Sequence, residues 1–187
     1  MIKLIILSIV NQLNMKTNRN LTAIILIVIL SGSFAALAAL FPGNLLIMGL
    51  VFIPLAFMLF NLGVRKSLAY RNYFTSVSNI FTTKFRHKMI FDIPADLMFE
   101  KLVEVLQEGN HHKLTLVDMN EEKRELLAIT QISMKSWGEN VYIDLEEIDG
   151  ETVLNFCSTT MFQVYDWGKN EKNYDALFEE IENSLTI

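Results

Sequence analysis

Apolar and polar positions alternate along this chain with three different rhythms. Two long runs come first. Leu21 to Phe41 and Asn44 to Val64 each pass 21 residues without a charge. As α-helices rising 1.5 Å per residue, each would extend about 30 Å, the depth of a bilayer's hydrocarbon core. The pattern therefore predicts a two-helix transmembrane hairpin, 21–41 and 44–64, that turns at Pro42-Gly43. Pro54 inside the second run is compatible with a kink in lipid. After Lys84 the rhythm shortens. "KFRHKMIFDI" reads as a strand, and Pro94 suits the first turn of a helix in which Met98, Leu102, Val105 and Leu106 form one apolar stripe. Gly109-Asn110 ends that helix.

Period-two strands follow, divided by turn signals. "HKLTLVDM" and "ELLAITQISM" flank the polar "NEEKR". "ENVYIDLEEI" puts Val141, Ile143 and Leu145 on one face and Tyr142, Asp144 and Glu146 on the other. Asp149-Gly150 is a hairpin signal, and "ETVLNFCSTTMFQV" returns. Tyr174, Leu177, Phe178 and Ile181 mark a closing helix. The order β-α-β-β-β-β-α predicts an α+β fold: an antiparallel sheet buried on one side beneath two helices.

Charge divides the chain at the same place. All 21 Asp and Glu lie at or after Asp92; before it stand nine Lys and Arg and no acid. The rest carries seven Lys and Arg, a net of −14, which disfavours nucleic acid as a partner because phosphates would repel it. The expected organisation is an N-terminal segment 1–20, whose true start could be Met15, the hairpin 21–64, a basic aromatic linker 65–84, and an acidic domain 85–187. Lys16 and Arg19 before the first run and Arg65, Lys66 and Arg71 after the second place both termini in the cytoplasm of a bacterial inner membrane. Arg65, Lys66, Tyr70, Arg71 and Tyr73 then read as membrane-interface anchors in contact with the lipid bilayer. Cleavage of the first run as a signal peptide is the competing reading.

From "LLAITQISMKSWGENVYIDL" through "GETVLNFCSTTM" to "YDWGKNEKNYDALFEEI", roughly the last 75 residues resemble the bacterial family called domain of unknown function 1499. Asp166, Gly168 and Asn170 match its Asp-x-Gly-x-Asn turn into a helix, and Ser158 matches its Ser-rich strand. Thr159 and Thr160 stand where the family often has a small residue and an Arg. The resemblance implies a fold and no activity.

"QVYDWGKN" is the most individual stretch. Asn170 fits a helix cap ahead of Glu171, and Asp166 suits an Asx turn. Gly168 can take positive φ, and Trp167 offers area to seal the sheet edge against the helix. Asp166, Trp167, Gly168 and Asn170 are also the candidate binding residues. No catalytic, metal or cofactor constellation is legible. His111 and His112 are adjacent, so on a strand they point to opposite faces; His87 reads as a surface residue. Cys157, the one cysteine, reads as a small hydrophobe. Glu146, Glu147, Asp149 and Glu151 read as a solvated hairpin tip. The expected function is a membrane-anchored, non-enzymatic interaction module contacting a protein partner through the acidic sheet face or the Trp167 turn. The alternative is an amphiphile held between sheet and helices, with Met134, Phe156, Met161 and Phe162 as its lining.

Overall fold

The computed structural model describes residues 28–29, 31–77, 82–108, 114–133, 136–161, 163 and 165–185. Lys16, Arg19, Phe81, Gly109, Asn110, His111, His112, Met134 and Phe162 lie outside the described residues, as does the start of the first apolar run. The chain divides into two compact units, Met1–Arg65 and Lys66–Ile187.

In the first unit, helix α1 (31–40) ends at a turn where Gly43 takes φ +81°, and α2 (Leu45–Leu59) follows. The transmembrane hairpin expected from the apolar runs is corrected here. Among the described residues no helix is long and apolar enough to cross a membrane. α-Helical geometry in the second run covers 15 residues, about 22 Å of rise, and then gives way to a π-helical turn at Phe60–Val64. Arg65, expected as an interface anchor, is buried and reaches back to Asn61 Oδ1 at 3.4 Å. The multi-pass bacterial inner-membrane placement and the cytoplasmic assignment of both termini rested on those spans, and they fall with them.

The second unit has the predicted strand and helix order. β1 (Lys84–Phe91), α4 (Ala95–Glu108), β2 (Leu114–Asn120), β3 (Glu125–Thr130), β4 (Glu139–Ile148), β5 (Glu151–Thr160) and α5 (Lys169–Leu185) are preceded by a 3-10 turn (Leu68–Tyr70) and the short helix α3 (Arg71–Thr75). The strands form one antiparallel sheet in the order β1-β5-β4-β3-β2. Asp149 at φ +55° and Gly150 at φ +87° make the β4–β5 turn, as Asp-Gly requires when both central residues are left-handed.

Register decides which side chains share a face. Ile143 lies opposite Phe156 and Leu145 opposite Leu154, and these join Met98, Leu102 and Leu106 of α4 and Leu177 and Ile181 of α5 in the main core. Tyr142 opposite Cys157, and Leu127 opposite Tyr142, lie on the other face. The alternation predicts a solvated surface there. Instead Leu127 is 0% and Tyr142 1% exposed. Residues 68–75 of the segment expected to be a juxtamembrane linker cross this face as a strap. Arg71 donates to Glu125 Oε1 at 2.6 Å and to Asp144 Oδ1, and the Leu68 N–H donates to Asp118 Oδ2 at 2.9 Å. Phe74 of α3 is buried. Tyr70 and Tyr73 remain exposed. Arg71 is thus a structural cation of the sheet rather than a headgroup anchor.

Removing Arg71 would take the guanidinium from Glu125 and from Asp144 Oδ1, both partly buried, so Arg71→Ala is expected to cost about 1.5–3 kcal/mol in denaturant melts. A fragment starting at Lys66 should unfold cooperatively with a higher midpoint than one starting at Lys84. Equal midpoints would detach the strap from the fold.

Candidate functional site

Residues 165–170 join the end of β5 to α5 through a turn held from three sides. Asp166 Oδ1 accepts the Gly168 N–H at 3.3 Å and its Oδ2 accepts the Asn170 N–H at 3.2 Å. The carboxylate of Asp166 therefore performs the capping expected of Asn170, because the helix starts at Lys169, two residues before Glu171. Two successive residues carry positive φ, Trp167 at +55° and Gly168 at +70°. The glycine was legible as such; the tryptophan was not.

Asn170 is 0% exposed and serves as a clasp. Its Oδ1 accepts from Ser158 Oγ at 2.8 Å, and its Nδ2 donates to the Thr83 carbonyl at 3.3 Å. Asn173 Nδ2 donates to the same Ser158 Oγ at 3.3 Å. One buried carboxamide thus ties α5 to β5 and to the lead-in of β1. On the other flank Lys169 Nζ donates to Ser133 Oγ at 2.9 Å and lies 3.7 Å from Glu139 Oε1. That buried carboxylate also accepts from Thr130 and Ser136 hydroxyls. Glu139, Lys169 and the hydroxyls form a support that sequence spacing could not reveal, since its parts come from three segments.

Trp167 does not seal the sheet edge. Its ring is 66% exposed and meets Tyr165, 65% exposed, edge-on with centroids 4.9 Å apart. Space forces neither outcome at Gly168, where an added Cβ would meet nothing within 4 Å. The cost there is backbone strain alone.

The remaining candidates separate. His87 is exposed beside the Tyr174 ring at 4.5 Å, while Cys157 lies on the opposite face of the sheet, so the two do not form a nucleophile and base. Burial pushes the Cys157 thiol up, and a hydrogen bond and positive charge from Arg86 only partly oppose it. Among the described residues no group of His, Cys, Asp and Glu could hold a metal ion. The acids at 146, 147, 149 and 151 are exposed at the hairpin, as read. On the acidic sheet face Asp144 and Glu125 are engaged by Arg71, while Glu146 is exposed.

No protein-family model matches the chain, and no curated protein matches it. Solved structures do. Ara h 8.0201 is similar at 10% identity and TM-score 0.43, covering 55% of this chain and 97% of its own. The Zhui aromatase/cyclase from Streptomyces sp. R1128 is similar at 13% and 0.35, covering 54% and 87%. The Aha1 dimer from Colwellia psychrerythraea is similar at 11% and 0.41, covering 56% and 97%. None of the three reaches a TM-score of 0.5.

Stability should follow the clasp rather than the ring. Asn170→Ala is expected to cost about 1–3 kcal/mol by taking the acceptor from the buried Ser158 hydroxyl and one of the donors from the Thr83 carbonyl. Gly168→Ala should cost about 1–2 kcal/mol through its φ. Trp167→Gly should stay within about 0.5 kcal/mol of the parent or exceed it. Denaturant melts of the three variants check the order. For Cys157 the sign is set by burial: with the folded thiol raised, the unfolded chain ionises first as pH rises. Stability should fall as pH passes the ordinary thiol range, and Cys157→Ala should remove that dependence.

Proposed function

We propose that the sheet unit is a non-enzymatic interaction module and that its contact is the Tyr165–Trp167 knuckle. One observation carries this reading. Trp167 occupies a left-handed conformation that costs an L residue about 1–2 kcal/mol, and at 66% exposure its side chain gains little burial to offset the strain. Tyr165 stands beside it, equally exposed, on a turn tied down by Asp166, Lys169 and Asn170. Rigid aromatics lose little entropy when they bind, and Trp and Tyr are the side chains that most often carry interface energy. The amphiphile alternative would require the layer between sheet and helices to open. Phe156 and Met161, its proposed lining among the described residues, are buried, and Phe156 packs within the apolar cluster there.

A photo-crosslinking side chain placed at Tyr165 of the full chain should join it to the same protein in repeated preparations. Trp167→Ser should abolish that adduct while leaving the thermal midpoint within about 2 °C. An adduct unchanged in Trp167→Ser would remove the turn as the contact.

A further inference from the structure

β1 is an edge strand whose alternation sends Lys84, Arg86 and Lys88 to one face, opposite Thr159, Cys157 and Asn155 of β5. This is the face that the strap crosses. Between α3 and β1 lies an open cleft of about 520 Å³, lined among others by Arg71, Thr75, Arg86, Lys88, Tyr142 and Cys157. Its single acid is Asp144, and both oxygens are committed, Oδ1 to Arg71 and Oδ2 to Asn155 Nδ2 at 3.0 Å. Arg71 is in turn shared with Glu125. Arg86 and Lys88 are different. Arg86 donates to the Thr75 carbonyl, which holds its guanidinium at the cleft, and among the described residues neither cation is paired with a carboxylate.

Two positive charges therefore line a cleft whose one acid is already engaged, inside a chain of net charge −5. We propose that this cleft binds a phosphomonoester. The charge balance selects the group: a phosphomonoester carries about −1.5 to −2 near neutral pH, which matches Arg86 and Lys88 together, whereas a carboxylate or a diester carries one. A guanidinium fork beside an ammonium is the donor set that phosphate oxygens favour. The volume selects the rest of the ligand. It falls in the range of about 300–1,000 Å³ that small organic molecules occupy, so the phosphate has room for an organic body beside it. Cations on an edge strand also discourage pairing with another sheet. That role accounts for the charges but not for the wall that α3 raises opposite them.

Titration calorimetry of the full chain at low salt tests the assignment with phenyl phosphate, benzoate and vesicles of neutral lipid with or without phosphatidate. Phenyl phosphate should bind at least about tenfold more tightly than benzoate. Lys88→Gln, a change at an exposed side chain, should weaken it several-fold, and Arg86→Gln combined with Lys88→Gln about tenfold or more. Lys101→Gln, on α4, should leave it unchanged, and melting curves should show all variants folded. Binding to phosphatidate vesicles alone, with the same dependence on Arg86 and Lys88, would place the phosphomonoester on a lipid. Equal affinity in the parent and the double variant, equal affinity for benzoate, or no binding by either phosphate source would overturn the proposal.

Discussion

The Arg71 guanidinium, shared between Glu125 and Asp144, determines what the rest of the sheet unit can be. A five-stranded sheet with helices on one side normally leaves its other side to water. Here the ion pairs fasten α3 across that side, where Leu127 and Tyr142 are buried. Bringing three charges into a partly dehydrated place is costly unless each is paired and hydrogen-bonded. Asp144 meets this condition with Arg71 on one oxygen and Asn155 on the other. The strap is then part of the fold, and the cleft between α3 and β1 is its by-product.

The two faces of the sheet have become chemically distinct as a result. Beneath α4 and α5 lies a continuous apolar layer running from Met98 to Phe156 and Ile181. Across the sheet the face is mixed, with Leu127, Tyr142 and Cys157 among Arg86, Lys88, Asp144 and Asn155. The Asn170 clasp works at the rim between these two regimes. It satisfies a serine on β5 and a carbonyl before β1 from one buried carboxamide, so the start of α5 is located by hydrogen bonds rather than by packing. This frees Trp167 from structural duty. A large ring is left in solvent on a turn that hydrogen bonds hold firmly.

Much of the sheet unit was legible because its signals are local. Alternation in "ENVYIDLEEI" sorted Ile143 from Tyr142, Asp149-Gly150 located a hairpin, and Gly168 announced a left-handed residue. The misreadings came from groups whose partners are distant. Arg71 looked like a membrane-flanking cation because its carboxylates lie 54 and 73 residues further on. Asn170 looked like a cap because its true partners, Ser158 and Thr83, lie on two other segments. Length and apolarity likewise suggested spans, yet the α-helical part of the second run stops at Leu59, before a π-turn.

The order of strands and helices, the positions that face the apolar layer and the sites of the tight turns were set by the chain itself, since periodicity and backbone sterics act over a few residues. Which face of the sheet is covered, whether a tryptophan is buried or exposed, and which cations stay unpaired were decided only in the tertiary structure. Burial and charge pairing are sums over neighbours in space, and a one-dimensional pattern lists the groups without saying which of them meet.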